Sequence, residues 1–184
     1  AIKFKGMNRH DYNPRNGRVV AKEEIEKDII LMKQFNVNAI RTCHYPDSYY
    51  LYDLCDQYGM YVLDETDLEC HGFEWTGNYR WISDDPSWKH AYVERSIRMV
   101  KRDRNHPCII MWSMGNESSF GCNFRSTAEE IRKLDPTRLI HYEGDFEAEV
   151  TDVYSTMYTR IKGMKQIGES EMKGNKPHVL CEYG

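Results

Sequence analysis

The sequence predicts an α/β fold built on a parallel sheet, and three observations carry that expectation. Short apolar runs alternate with longer amphipathic stretches along all 184 residues. Most of the short runs are apolar throughout rather than alternating, as strands covered on both faces are. Polar and ionisable residues collect just after nearly every run.

The runs predict strands over 2–7, 39–42, 61–64, 108–113, 139–142, 153–157 and 178–181. Helices fill the gaps. From Glu23, residues Ile25, Ile29, Met32 and Phe35 recur at helical spacing, with Glu24, Lys27 and Lys33 between them. A second helix covers 48–58 and ends at Gly59. Asp85-Pro86 opens a third, with Asp as the cap and Pro in the first turn, running to about Arg104. A fourth spans 124–134 and stops before Asp135-Pro136. A weaker helical stretch covers 161–172, and the link between the fifth and sixth strands is too short for a full helix.

Strand and helix in repetition fit either an open doubly wound sheet or a barrel. No glycine-rich phosphate loop follows the first strand: Gly6-Met7-Asn8-Arg9-His10 is no such cradle. Polar groups instead end many strands, in the series Asn8-Arg9-His10, Arg41 and His44, Asp64-Glu65, Asn116-Glu117, Glu143, Tyr158 and Glu182. Convergence from many strand ends is the arrangement of a (β/α)8 TIM barrel, whereas an open sheet concentrates its site at one switch point. The sequence carries seven strand candidates where a closed barrel has eight, and the fold typically takes about 250 residues. Residues 1–184 are therefore expected to be a partial catalytic barrel of a longer multidomain chain, short at its C-terminal end, with strands one and seven left as edges.

Composition bounds the function. A formal net charge of -4 with intermixed signs, as in Lys101-Arg102-Asp103-Arg104, argues against a nucleic-acid partner. No apolar run approaches the ~18 residues of a membrane span, and no secretory signal is visible. The six cysteines are irregularly spaced with no Cys-x-x-Cys pair, which reads as reduced packing residues in a cytoplasmic protein. The 13 Tyr and 4 Trp suit a sugar site and a packed core equally.

Two carboxylates stand out. Met111-Trp112-Ser113-Met114-Gly115-Asn116-Glu117 leaves a buried strand and ends in Gly, Asn and Glu. A second acid, Glu182, follows the seventh strand. Cleaving a glycosidic bond takes two carboxyl groups flanking the anomeric carbon, one to protonate the leaving oxygen and one to attack or to activate water. The alternative reading makes each a salt-bridged rim residue. In the run Asp64-Glu65-Thr66-Asp67-Leu68-Glu69-Cys70-His71-Gly72, Glu69 and His71 share a face if extended and suit Mg²⁺ or Mn²⁺ better than Zn²⁺; a solvated acidic loop reads the same way. Arg41 and His44 could bind sugar hydroxyls or a carboxylate, and a lone histidine such as His44 or His10 is more often structural. His90, His106, His141 and His178 read as structural.

Taken together the motifs resemble one family. Gly6 to His10, Asp28-Ile29-Ile30-Leu31-Met32-Lys33-Gln34, Asn38-Ala39-Ile40-Arg41, His44-Tyr45-Pro46, the 64–72 run, Arg104-Asn105-His106-Pro107, Trp112 to Glu117, Asp135-Pro136-Thr137-Arg138 and Cys181-Glu182-Tyr183 match, in order and spacing, glycoside hydrolase family 2. Within it they are similar to the large metal-dependent β-galactosidases of the bacterial lactose-operon type. The resemblance implies a retaining hydrolase of terminal β-D-galactosides such as lactose, with Glu117 as acid/base and Glu182 as nucleophile. It implies Mg²⁺ or Mn²⁺ on Glu69, His71 and Glu117, and substrate contacts from His10, Arg41, His44, Asn116 and Tyr158. Arg41 would help keep Glu182 ionised, and a retaining pair should stand about 5–5.5 Å apart. The longer protein is expected to be a homo-oligomer, and the domain alone to turn over poorly or not at all. A β-glucuronidase or β-mannosidase shares the carboxylate pair. A sugar-binding piece without turnover and a metal-dependent lyase or isomerase are the readings from other classes.

Overall fold

In the computed structural model, described for residues 2–170 and 176–183, seven strands and five α-helices follow one another in α/β order. The strands are β1 (Gly6–Arg9), β2 (Ala39–Thr42), β3 (Tyr61–Glu65), β4 (Ile109–Ser113), β5 (Leu139–His141), β6 (Tyr154–Met157) and β7 (His178–Glu182). The helices are α1 (Lys22–Gln34), α2 (Tyr49–Tyr58), α3 (Lys89–Asp103), α4 (Cys122–Leu134) and α5 (Ile161–Glu169). Every pairing between named strands is parallel, in the order β1-β2-β3-β4-β5 and, separately, β6-β7. The two sheets meet where Asp152 N donates to Ile140 O at 2.9 Å and Ile140 N donates to Asp152 Oδ2 at 2.7 Å. Across the other gap, Asn8 Nδ2 donates to Cys181 O (3.0 Å) and Tyr183 Oη to Gly6 O (2.6 Å). Among the described residues no ladder closes either gap, so the strands form the arc of a partial (β/α) TIM barrel.

The central strands are apolar along most of their length because both of their faces are covered, and turn polar at their carboxyl ends. Ile40, Val62 and Trp112 join the helix–sheet layer with Ile29 of α1, Leu51 and Tyr52 of α2, Val100 of α3 and Phe124 of α4. Phe124 stacks on Tyr142 with centroids 4.0 Å apart, and Tyr92 meets its edge at 5.3 Å. Aromatic contacts of this kind each contribute about 0.5–1.5 kcal/mol beyond the area they bury. Leu63, Met111 and Val153 form a second, smaller cluster.

Several boundaries differ from the sequence reading. The first strand runs over Gly6–Arg9, not 2–7, because β2 offers ladder partners only from Gly6 onward, opposite Ala39. The residues before it are tied by the Asn38 side chain, which bonds Lys5 N and Lys3 O. Phe35 caps α1 with its ring in solvent instead of joining the buried stripe of Ile25 and Ile29. Asp85 does cap its helix, accepting from Ser87 N at 2.9 Å, but the first turn, Pro86–Trp88, is a tight 3₁₀ turn leading into α3. The last helix ends at Glu169; Glu171 and Met172 lie outside the described residues. All six cysteines are free thiols. No helix among the described residues is long and apolar enough to cross a membrane.

Candidate active site

The carboxyl ends of the strands meet around Arg41, on β2 and only 4% exposed. Its Nε and Nη2 form a two-pronged pair with Glu65 at the end of β3 (2.6 and 2.9 Å). Nη1 donates to Glu182 Oε1 at the end of β7 (2.8 Å), and Nη2 also donates to Asn116 Oδ1 (2.8 Å). One guanidinium thus joins the ends of three other strands, which its planar fork of donors permits and a lysine ammonium would not. Tyr158, just past β6 and in the left-handed region (φ 51°), donates to Glu182 Oε2 at 2.7 Å. Burial raises the Glu182 carboxyl, but the hydrogen bonds of Arg41 and Tyr158 and the charges of Arg41 and His44 outweigh it, so it stays below the ordinary carboxylate value.

Glu65 has no solvent exposure and is the underside of this site. Its Oε1 also meets His44 Nδ1 at 2.7 Å, and its Oε2 accepts from Ser113 Oγ at 2.7 Å. Since Ser113 spends its proton on Glu65, the hydroxyl oxygen accepts from His141 Nδ1 (2.8 Å); on the other side His141 Nε2 meets Ser155 Oγ at 2.8 Å, and that hydroxyl also lies 3.3 Å from Val179 O. Burial followed by the Arg41 charge lowers His141 to about 4, which favours the neutral ring with Nε2 accepting from Ser155 Oγ. His141 is therefore structural: it fixes Ser113, which fixes Glu65, which fixes Arg41.

Glu117 reaches the site on a backbone turn that depends on Gly115. After β4 the chain passes Gly115 at φ 148°, where an added Cβ would lie 2.8 Å from Leu68 O. Asn116 N donates to that same carbonyl at 2.9 Å, and Glu69 and Asn116 form an isolated parallel bridge. Glu117 follows at φ 32°. Ser118 holds the turn: its Oγ donates to Asn116 O (2.6 Å) and accepts from Cys70 N (2.7 Å), while its N donates to the buried Tyr142 Oη (3.1 Å). Gly115→Ala is expected to cost about 1–3 kcal/mol from backbone strain alone, with the Leu68 clash added. Thermal unfolding measures it, and an unchanged Tm would show that the close approach at Leu68 O is not made.

The 64–72 segment brings Glu69 and His71 beside Glu117. Ligand atoms of the three lie within 4.8 Å of one another, and His71 Nδ1 is 3.2 Å from Glu117 Oε2. Two carboxylates and one imidazole are a hard donor set that fits Mg²⁺ or Mn²⁺. On the other side, His10 packs its ring edge-on against His44 (5.3 Å). Every site candidate from the sequence, Glu117, Glu182, His10, Arg41, His44, Asn116, Tyr158, Glu69 and His71, thus lies at the strand-end face of the arc.

Sequence alone assigns no role to two further acids of the site. Glu65 was one of four acids in a run, with nothing to separate it from a solvated loop. Glu143 stands two residues beyond the inward-facing His141. Burial pushes its carboxyl up to about 7, the charge of Glu117 adding to this, Arg41 opposing it and Glu182 adding a little more. Strand alternation from His141 was the signal that could have placed it inside.

The whole chain, residues 1–184, matches the family model described as glycosyl hydrolases family 2, TIM barrel domain. It is 42% identical over 207 residues to a β-galactosidase of Kluyveromyces lactis, covering 100% of this chain and 20% of that protein. It is 44% identical over 191 residues to one from Pectobacterium atrosepticum, covering 98% and 18%. The chain therefore spans about a fifth of the length of these relatives. Among solved structures, a β-D-glucuronidase from Dictyoglomus thermophilum superposes with a TM-score of 0.77 at 28% identity, over 98% of this chain and 36% of that one. A β-glucuronidase from Ruminococcus gnavus superposes with a TM-score of 0.80 at 20% identity, over 98% and 36%, a likeness of fold.

Proposed function

This chain belongs to glycosyl hydrolase family 2, and we propose that it is the catalytic domain of a retaining β-galactosidase, with Glu182 as nucleophile and Glu117 as acid/base. The observation that carries the reading is the unequal environment of the two carboxylates. Glu182 is gripped by Arg41 and Tyr158 and kept ionised, as attack requires. Glu117 is a third exposed and, among the described residues, meets His71 and Asn116 rather than a guanidinium.

In the first step a Glu182 oxygen bonds to the anomeric carbon as the glycosidic C–O bond breaks, and Glu117 gives its proton to the departing oxygen. In the second, Glu117 takes a proton from water, the water oxygen bonds to the anomeric carbon, and the ester to Glu182 breaks. Two inversions leave the configuration retained. The Oδ1 of Asn116 is committed to Arg41; its amide gives one hydrogen to Glu117 Oε2 (3.3 Å) and has the other to offer the sugar 2-hydroxyl. His10 and His44 are placed in this reading against further hydroxyls, and Tyr158 keeps the nucleophile aimed. Glu69, His71 and Glu117 would hold Mg²⁺ or Mn²⁺, whose positive charge would favour the ionised form of the acid/base.

A neutral sugar suits the site better than a uronate. Glu117, Glu143 and Glu182 gather three carboxyl groups, and Arg41 is already engaged by Glu65, Glu182 and Asn116, so its guanidinium is not left to meet a sugar carboxylate. The 42–44% identity to β-galactosidases supports the same choice. The substrate is thus a terminal β-D-galactoside such as lactose, taken from solution by a larger, homo-oligomeric protein. The test compares nitrophenyl β-D-galactoside with the β-D-glucuronide, using protein of the relatives' full length, with the product anomer followed by NMR. The galactoside is expected to lead by at least ~100-fold in kcat/KM, releasing the β-anomer first. A leading glucuronide would overturn the sugar assignment, and the α-anomer would overturn double displacement.

A further inference from the structure

We propose that His10, Cys43 and His44 form a second cation site, selective for a thiophilic metal of the Zn²⁺ class. One ring nitrogen from each histidine and the Cys43 Sγ lie within 4.8 Å of one another. The parallel register creates the cluster: Arg9 pairs with Thr42, and Cys43 N donates to Arg9 O at 3.1 Å. The next residues along, His10 and Cys43, are therefore set side by side with His44 following. Cys43 is buried and His10 is exposed, so the cluster runs from a buried sulfur to an opening to solvent.

The hydrogen bonding of His44 gives an independent reason to expect a metal. Its Nδ1 faces Glu65 Oε1 at 2.7 Å, and a carboxylate there requires that nitrogen to carry the proton. In the neutral form of the ring, the form a metal binds, Nε2 then carries the lone pair. A carboxylate behind one nitrogen and a free lone pair on the other is the arrangement that orients metal-binding imidazoles. Glu182 Oε1 lies 4.0 Å from that Nε2 and supplies a fourth donor. One sulfur, two nitrogens and one oxygen favour Zn²⁺ or Co²⁺, while Mg²⁺ prefers the oxygen-rich Glu69, His71 and Glu117. Ligand atoms around tetrahedral Zn²⁺ are roughly 3.3–3.8 Å apart, so side-chain rotation of about an ångström closes the site. On binding, the Cys43 S–H bond breaks, the proton leaves to solvent and the sulfur bonds the metal. On the glycosidase reading the bound cation sits against the nucleophile and blocks it; the binding itself does not depend on that reading.

The experiment is a Co²⁺ titration of the chain in excess Mg²⁺ and without added thiols, followed in the near ultraviolet. About one equivalent of Co²⁺ is expected to produce a thiolate-to-metal charge-transfer band that Zn²⁺ then abolishes. Cys43→Ser should remove the band and leave the far-ultraviolet circular dichroism unchanged. Cys122→Ser should keep it, and His10→Ala, at an exposed position, should weaken Co²⁺ affinity at least ~10-fold. Absence of a thiolate band at saturating Co²⁺, a band that survives Cys43→Ser, or undiminished affinity in His10→Ala would each overturn the site.

Discussion

Glu182→Gln is expected to lower kcat on a nitrophenyl β-D-galactoside by roughly 10⁴-fold or more. The amide keeps the shape of the carboxylate but has no charge with which to form the glycosyl ester. Its carbonyl can still accept from Arg41, so Tm should move by only a few degrees, and the loss belongs to chemistry rather than folding. Glu117→Gln should behave differently. Nitrophenolate leaves without a proton, so this variant should retain far more activity on the nitrophenyl glycoside than on an alkyl galactoside, whose departing oxygen needs one. The measurement is kcat for both variants on both substrates. Glu182→Gln turning over within tenfold of the parent would remove the nucleophile assignment. Equal losses on both leaving groups in Glu117→Gln would remove the acid.

The second large effect is on stability. Arg41→Met is expected to destabilise the fold by about 3–5 kcal/mol, since removing one partner leaves a buried charge uncompensated. Glu65 would keep only His44 and Ser113, with no exposure to water. For a domain of this size the loss corresponds to a fall in Tm of roughly 6–20 °C. Its pH dependence has a definite sign. Burial raises Glu65, but Arg41, His44 and Ser113 outweigh it, so its folded value lies below the ordinary 4.5. A depressed carboxylate contributes stability above 4.5 that is lost as pH falls through the folded value. The variant lacks that contribution, so its deficit should be full at neutral pH and shrink as pH falls below 4.5. His141, lowered to about 4, also withholds a proton that the unfolded chain accepts below 6.5. Both proteins should therefore lose some stability on acidification. Urea unfolding at neutral and acid pH reads the difference. A deficit independent of pH would show that Arg41 acts through packing and not through the charge of Glu65.

The strands and the parallel class were legible because apolar runs under two covering layers leave a strong pattern. The first strand was misplaced because its limits depend on what β2 offers as a partner, and the alternation Ile2-Lys3-Phe4-Lys5 before Gly6 reads as strand without one. In the site, Glu117 and Glu182 drew notice as acids at strand ends, while their roles came from family resemblance. Glu65 and Glu143 went unassigned because an acid that binds a buried guanidinium and one that faces water are the same letter.

What the sequence determined by itself is the order of strands and helices and the chemical inventory at the strand ends. Burial and periodicity are local properties, written into every few residues. The tertiary structure decided which of those groups meet. Arg41 joins Glu65, Asn116 and Glu182 across separations of 24, 75 and 141 residues, and Tyr158 closes on the same carboxylate from β6. These contacts follow from strand register and barrel curvature, which bring distant strand ends to one face, and no local pattern encodes the distance between them.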